Sequence, residues 1–425
     1  MSVQRVWRLI TVKVNDQMKK MFAFLAAAFL CAGCVPEEYF LRIDQEAKTP
    51  VRIAAVIPLS GKNKIYAEQM MAGMVFAVEQ INAQNGVNGR NLQFKVFDST
   101  GTPVGAVAAM EDAAKWGASG IIAGYDSDEV SAAISRSGEL RLPTVIPLAT
   151  SDQHTDLSPF IYRNSYTDTQ QSEMLMSYLY HWRKARTIGI FIDARNALYS
   201  QNLARSCAQA FQDCGGSVVS TVQLQDKNIP DKIIQDMVMA DVDAVVIPAD
   251  GKRAAEILKK LRNAGFHGII AGTDTWDDID FISSLDDFNP GECVFTAFFS
   301  DENSSAEYIR FKSAFRKRFY YNPGACETQS YDALKFLVIG LSTAETLPDF
   351  DKNWRTIRNH QGAAATYTML KKGKIDRTIY LNTVGIDKVN GKFRPYSRLS
   401  RKIQYSKLEE YKESFYEVSD RQPII

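Results

Sequence analysis

Apolar and polar residues alternate in blocks along the chain from residue 51 onward. Short apolar runs, typical of strands that are buried on both faces, are separated by longer stretches with apolar side chains at helical spacing. The runs predict strands at residues 52–58, 92–98, 120–123, 144–147, 187–193, 217–222, 244–248, 268–271 and 293–298.

Two of the intervening stretches give clear helix predictions. Residues 67–84 place one broad apolar face on a helix, made of Met70, Met71, Met74, Val75, Val78 and Ile81. Residues 251–264 do the same with Ala254, Ile257, Leu258 and Leu261. Strands that alternate with helices predict an α/β fold with parallel sheets covered by helices. A length of 425 residues favours two domains.

Composition and charge narrow the function classes. Hydrophobic residues make up 45% of the chain and charged residues 23%, as in soluble globular proteins. The formal net charge is +1, from 50 basic and 49 acidic residues. Because phosphate binding needs a basic surplus on some face, this balance gives no support to a nucleic-acid partner.

Nothing in the sequence indicates catalysis or a cofactor. The four histidines are not spaced along the sequence as metal ligands are. They are His154, His181, His267 and His360. Phosphate-binding and dinucleotide-binding glycine motifs are missing, as is the serine elbow of hydrolases. We therefore predict that the protein is not an enzyme and binds no metal.

The cysteines leave two interpretations open. Cys207 and Cys214 lie on one predicted helix, about 10.5 Å apart at 1.5 Å per residue, which is beyond disulfide reach. In an oxidising compartment Cys293 and Cys326 are therefore the better candidate pair. The alternative is that all four are small buried hydrophobic residues.

The N-terminus has the features of an export signal. Two lysines precede the apolar run 21–30 and the small pair Ala32-Gly33. Cys34 follows and resembles the modified cysteine of the bacterial lipoprotein signal, although Cys31 replaces the usual leucine. This resemblance implies a lipid anchor at Cys34 and a periplasmic or cell-surface location; a plain secretory signal is the alternative. Both Met1 and Met18 remain possible starts.

Polar and aromatic residues follow the predicted strands at their carboxyl ends. In parallel α/β sheets these ends form the ligand site. Hydroxyl groups and free backbone N–H groups there can bind a carboxylate, aspartates can accept from an ammonium group, and tyrosines can pack on an apolar side chain. This combination suits a zwitterion, and the candidates are Tyr66, Ser127, Thr150, Tyr199, Asp250 and Asp274.

Four of these candidates also have a simpler explanation. Ser127 and Thr150 could be ordinary helix N-caps, Asp274 could be solvated in a loop, and Tyr199 could belong to a core. Their shared position after predicted strands favours a site, because unrelated residues would be scattered.

The segment from residue 51 to 103 resembles the opening of type I periplasmic binding proteins of the branched-chain amino-acid group. It carries a P-L-S-G turn followed by an aromatic residue, an A-V-x-x-I-N helix and a G-V-N-G-R turn. The resemblance continues to about residue 395. It implies two Rossmann-like lobes with parallel sheets joined by a multi-strand hinge. The implied divisions are signal 1–34, tether 35–50, N-terminal lobe 51–165 with 299–345, C-terminal lobe 166–298 with 346–395, and C-terminal extension 396–425.

The same resemblance implies roles for individual residues. Ser127 and Thr150 would hold the ligand carboxylate, while the carbonyl of Leu148 and the side chain of Asp274 would receive the ammonium group. Tyr66 and Tyr199 would line the side-chain pocket. Ser60, Ala149 and Asp250 are expected at its walls. The implied partners are an amino acid and an ABC transporter permease.

Two features depart from the family pattern. Bulk and charge crowd the loop around Ser127, with Tyr125, Asp126, Asp128 and Glu129 beside it. If Asp126 or Asp128 points inward, a polar or cationic ligand fits better; the alternative is that both stabilise a helix N-terminus. Residues 396–425 have no family counterpart.

A regulatory or sensor lipoprotein of the same fold, with a protein partner, is the competing function.

Overall fold

A computed structural model describes residues 49–194, 197–225, 228–389 and 392–410. The predicted signal, Cys34, nearly all of the tether and the end of the predicted extension lie outside the described residues. Two separate sheets organise the described part of the chain.

The first sheet has five parallel strands in the order β2-β1-β3-β4-β5. Its strands are β1 (Val51–Ile57), β2 (Leu92–Asp98), β3 (Gly120–Ala123), β4 (Thr144–Ile146) and β5 (Ile161–Arg163). β3 and β4 are buried throughout, because helices cover both faces of a parallel sheet. The strand order changes direction between β1 and β3, which creates a switch point there.

The helices on or next to the first sheet are α1 (Lys64–Ala83), α2 (Pro103–Lys115), α3 (Ser127–Ile134), α4 (Ser137–Leu140), α10 (Ala306–Phe319), α11 (Ala325–Leu341) and α12 (Leu347–Trp354). The remaining helices are α5 (Asp168–Ser177), α6 (Ala197–Asp213), α7 (Asp231–Met239), α8 (Gly251–Asn263) and α9 (Ile279–Ser284). We call the first sheet with its helices the first lobe.

The second sheet is larger and mixed, and we call it with α5–α9 the second lobe. Its parallel part is β7-β6-β8-β9-β10, and β13 joins β10 antiparallel. The strands are β6 (Thr187–Asp193), β7 (Ser217–Leu224), β8 (Ala244–Ile247), β9 (Ile269–Gly272), β10 (Cys293–Ala297), β11 (His360–Gln361), β12 (Thr366–Met369), β13 (Ile375–Val389) and β14 (Lys392–Gln404). Its switch point lies at β6, between β7 and β8.

The predicted α/β class, with two lobes built on parallel sheets, is confirmed. All nine predicted strands are present, with ends within two residues of the prediction. The short β5 and the antiparallel strands β11–β14 were not predicted. β14 continues through residues 396–404 and pairs with β13, so the predicted extension begins inside a strand of the second sheet.

Arg377 ties together the segments that cross between the lobes. It lies on β13, is fully buried, and donates to the carbonyl oxygens of Asn164 and Phe298. Asn164 follows β5 and Phe298 follows β10, which are the points where the chain leaves each sheet. The guanidinium also lies over the rings of Tyr166, Phe298 and Tyr367, which favours a cation in this position.

The predicted disulfide between Cys293 and Cys326 is wrong. Cys293 lies on β10 in the second lobe, and Cys326 lies in the first turn of α11 in the first lobe. All four cysteines of the described chain are free, and burial raises the pKa of Cys293 to about 12. In the part of the chain described, no helix combines the length and apolar character needed to cross a bilayer.

Candidate ligand-binding site

A cleft of about 770 Å³ is lined by residues from the strand ends of both lobes. This volume lies in the range of about 300–1,000 Å³ that is usual for ligand pockets. Eight of the nine predicted residues line it: Tyr66, Ser127, Leu148, Ala149, Thr150, Tyr199, Asp250 and Asp274. The carboxyl ends of β1 and β3, and those of β6 and β8, contribute to its walls, as expected for two switch points.

Ser60 is the predicted residue that does not line this cleft. Its side chain is exposed, and its backbone N–H donates to Asp98 Oδ1 at 3.2 Å. Asp98 ends β2 and therefore holds the turn after β1 next to that strand. The prediction of a ligand contact at Ser60 is corrected accordingly.

Neither Ser127 nor Thr150 is a helix N-cap. Asp126 caps α3, because its Oδ1 accepts from the N–H of Glu129 at 2.9 Å and its Oδ2 accepts from Asn63 at 2.9 Å. Ser127 is thus the first helical residue, with a backbone N–H at the positive end of α3. Thr150 lies in the loop after β4, where its carbonyl oxygen accepts from the N–H of Asp168 at 2.9 Å.

A buried histidine supports the turn at Ser127. His154 Nε2 lies 3.3 Å from the carbonyl oxygen of Ser127 and 3.0 Å from Ser131 Oγ. Arg163 donates to His154 Nδ1 at 3.3 Å, so the ring proton belongs on Nε2. Burial and the neighbouring Arg163 lower the pKa of His154 to about 3, which keeps the imidazole neutral.

Asp274 and Tyr199 form the opposite wall. Tyr199 donates from its hydroxyl to Asp274 Oδ1 at 2.8 Å, and the hydroxyl also lies 2.8 Å from Thr273 Oγ1. Gln171 accepts from the backbone N–H of Asp274 at 3.3 Å. Burial raises the pKa of the Asp274 carboxyl to about 6, despite these hydrogen bonds. The Asp274 carboxyl group therefore lines the cleft, and its charged form is costly because burial removes it from water.

Tyr66 makes a contact between the lobes. Its ring stacks on Tyr125 with a centroid distance of 4.5 Å and an interplanar angle of 3°. Its hydroxyl lies 3.1 Å from Asp278 Oδ2 and 3.3 Å from Asp280 Oδ2, both in the second lobe. Burial and these carboxylates raise the pKa of Tyr66 above its usual value, so the phenol is protonated and donates.

Several cleft residues escaped the sequence prediction. Asp277 and Asp278 lie in the loop that follows Asp274, Asp280 lies in the first turn of α9, and Lys62 precedes α1. The rule that ligand sites lie at the carboxyl ends of parallel strands, which we call the strand-end rule, covers this loop. The sequence prediction nevertheless selected only Asp274, its first aspartate. Glu327 also lines the cleft from the N-terminus of α11. No strand precedes it, and no pattern in the sequence pointed to it.

The described residues contain no group of three or more histidine, cysteine, aspartate or glutamate side chains arranged to hold a metal ion. The hydroxyl groups of Ser127 and Thr150 lie on the first lobe, and carboxylates line both lobes, with Asp126 and Glu327 on the first lobe and Asp274 and Asp278 on the second.

Comparison with known proteins agrees with this architecture. The leucine-, isoleucine-, valine-, threonine- and alanine-binding protein of Pseudomonas aeruginosa is 22% identical over 308 residues, which cover 71% of this chain and 78% of that protein. The isoleucine complex of the branched-chain amino acid transporter substrate-binding protein LivJ from Streptococcus pneumoniae is 19% identical. It has a TM-score of 0.70 and covers 83% of this chain and 100% of that chain.

A second similar structure has a different kind of ligand. The ABC transporter solute-binding protein of Rhodopseudomonas palustris, in complex with 3,4-dihydroxybenzoic acid, is 16% identical with a TM-score of 0.68. The match covers 84% of this chain and 98% of that chain. The periplasmic binding protein family matches residues 50–382. The chain therefore belongs to the periplasmic binding protein family.

Proposed function

We propose that this protein captures an amino acid in the cleft between its lobes and delivers it to an ABC transporter permease. The observation that carries the proposal is the position of Ser127 and Thr150 on one wall of a cleft whose other wall contains Asp274. Donors facing a carboxylate form the two halves of a zwitterion site.

The proposed roles follow from the chemistry of each wall. Ser127 and Thr150 donate to the ligand carboxylate, with help from the N–H groups at the start of α3. The carbonyl oxygen of Leu148 and the carboxylate of Asp274 accept from the ammonium group. Tyr199 holds Asp274 in place through its 2.8 Å hydrogen bond. Ala149 and Asp250 complete the walls.

The names of the relatives support an amino-acid ligand. The Pseudomonas aeruginosa protein is a binding protein for five amino acids, and the Streptococcus pneumoniae structure contains isoleucine. These relatives are binding proteins, and we propose that this chain likewise performs no catalysis. The Rhodopseudomonas palustris complex has an aromatic acid instead. The ligand must therefore be deduced from the cleft itself, because the fold accommodates more than one class.

Transport requires two further steps that we include in the proposal. Closure of the second lobe over a ligand bound to the first would exclude water and create the surface that the permease recognises. A lipid on Cys34 would keep the protein at the membrane surface, where the permease lies.

Thermal unfolding of the full-length protein in the presence of each of the twenty amino acids tests the proposal. A ligand at about 100 times its Kd stabilises the folded state by about 2.7 kcal/mol. Ser127→Ala should reduce the shift, whereas Ser135→Ala should not, because Ser135 is exposed and outside the cleft lining. If no amino acid raises the unfolding temperature, the proposal fails and the regulatory alternative is favoured.

A further inference from the structure

We infer that Gln171 is a positioning residue of the ligand site, which joins the wall that contains Thr150 to the wall that contains Asp274. The inference rests on the proposed function, because it gives Gln171 a part in holding the groups that bind the two charged ends of the amino acid. Gln171 is fully buried and lies outside the cleft lining, so it acts on the ligand only through other residues.

The first turn of α5 places Gln171 between the two walls. Thr167 and Gln170 form a capping box at the start of α5, which fixes this turn directly after the chain has crossed from the first lobe. Asp168 and Gln171 are three residues apart on this helix and therefore lie on the same face. One face of the first turn thus carries both an acceptor and an amide group.

A continuous chain of hydrogen bonds runs from Thr150 to Tyr199 through Gln171. The N–H of Asp168 donates to the carbonyl oxygen of Thr150 at 2.9 Å, and Asp168 Oδ1 accepts from Gln171 Nε2 at 3.3 Å. Gln171 Oε1 accepts from the N–H of Asp274 at 3.3 Å. Asp274 Oδ1 in turn accepts from the hydroxyl of Tyr199 at 2.8 Å. Asp274 is therefore held both at its backbone and at its carboxyl group.

The partners of Gln171 fix the orientation of its amide group. The amide oxygen accepts from the N–H of Asp274, and it also accepts from Thr296 Oγ1 on β10 at 2.8 Å. The amide nitrogen donates to the carboxyl group of Asp168. A rotated amide would place its N–H donors against the N–H of Asp274, so only one orientation satisfies both walls.

The geometry of this chain matters because ligand contacts depend on small distances. A displacement of about 1 Å in a binding group is enough to weaken its contact with a ligand, so residues behind the wall must hold that group in place. An apolar side chain at position 171 would fill the same space but would leave the N–H of Asp274 without its acceptor. Asp274 would then be fixed by its carboxyl group alone.

Titration calorimetry of full-length Gln171→Met tests the inference, because methionine is unbranched like glutamine but has no amide group. The probes are the one of the twenty amino acids that stabilises the wild type most and its des-amino analogue, which keeps the carbon chain and the carboxylate. Gln171→Met should lower the ratio of the two affinities by about 2- to 13-fold, the range for one hydrogen bond. Gln209→Met is the control with an unchanged ratio, because Gln209 is exposed on α6 of the same lobe and outside the cleft lining.

A double-mutant cycle distinguishes positioning from a general loss of structure. In an Asp274→Asn background, Gln171→Met should weaken amino-acid binding by a smaller factor than in the wild type, because the contact that it supports is already impaired. A glutamine with a merely structural role would weaken binding by the same factor in both backgrounds. Urea denaturation verifies that each variant is folded.

Two milder substitutions test the two ends of the Gln171 amide. Thr296→Val removes the hydroxyl that donates to Gln171 Oε1, and it decides the test if Gln171→Met does not fold. Asp168→Ala removes the carboxyl group that holds the amide from the side of Thr150. Both should lower the affinity ratio in the same direction. An unchanged ratio in Asp168→Ala would overturn the inferred join between the walls.

The outcomes separate the inference from the proposed function. If no amino acid stabilises the wild type, amino-acid capture fails, and the inference fails with it. If the wild type binds the amino acid and its des-amino analogue equally, the ammonium contact at Asp274 is wrong and Gln171 has nothing to position. If the wild type prefers the amino acid and Gln171→Met keeps the same ratio, or loses affinity equally in both backgrounds, the inference is overturned while amino-acid capture stands.

Discussion

The hydroxyl of Tyr66 offers the sharpest test of how the lobes are held together. This phenol reaches from α1 of the first lobe to Asp278 and Asp280 of the second lobe, at 3.1 Å and 3.3 Å. Tyr66→Phe removes this hydroxyl and keeps the ring, so the stacking on Tyr125 is retained. The substitution therefore isolates one polar contact between the lobes.

The magnitude follows from the type of hydrogen bond. A hydrogen bond to a charged group contributes about 1.5–3 kcal/mol. Because Tyr66 makes this contact only when the lobes meet, its loss should shift the equilibrium between open and closed forms toward the open form. The expected shift is about 10- to 150-fold.

Small-angle X-ray scattering of the ligand-free, full-length protein measures this equilibrium through the radius of gyration. We expect a larger radius for Tyr66→Phe than for the wild type. Tyr320→Phe is the control, because Tyr320 is 88% exposed and outside the cleft lining, and its radius should not change. An unchanged radius in Tyr66→Phe would refute the view that this hydroxyl stabilises the closed form.

Three further predictions follow from the site and the core. Burial raises the pKa of Asp274 to about 6, and the proposed contact with the ligand ammonium group needs this carboxyl ionised. Ligand affinity should therefore be full above that pH and fall as the pH drops through 6, by about tenfold per unit for one proton. Titration calorimetry at pH 7.5 and pH 5 measures this, and equal affinity at both would contradict it. Arg377→Met should lower the free energy of unfolding by about 1–3 kcal/mol for each crossover carbonyl left without a donor, as measured by urea denaturation; unchanged stability would show that Arg377 does not hold the crossover. Gly73→Ala places a methyl group against the backbone of Glu327, where α1 and α11 meet, and should lower the free energy of unfolding by about 1–3 kcal/mol. A variant as stable as the wild type in urea denaturation would mean that the two helices can move apart without loss of stability.

The sequence anticipates the fold well because its strongest signals are local. Buried parallel strands such as Gly120–Ala123 and Ala244–Ile247 are continuous apolar runs, which are recognisable without knowing their neighbours. The antiparallel pair β13–β14 is different. Exposed and partly covered residues alternate along β14, so its composition is that of a polar segment and gives no apolar run.

The candidate site is predicted less completely because it depends on contacts between distant residues. Tyr66 and Asp278 are 212 positions apart, and no periodicity in the sequence indicates that they meet. The strand-end rule found Asp274 but gave no reason to prefer it over Asp277, which also lines the cleft. The same rule selected Ser60, which does not line the cleft, because it does not distinguish residues that line a cleft from residues that hold a turn together.

A crystal structure with the amino acid that stabilises the protein most would test the central claim most directly. Our account predicts the ligand carboxylate within about 3.2 Å of the hydroxyls of Ser127 and Thr150, with its ammonium group against the carboxylate of Asp274. A ligand bound outside this cleft, or one whose ammonium group lies nearer to Ser127 than to Asp274, would contradict it.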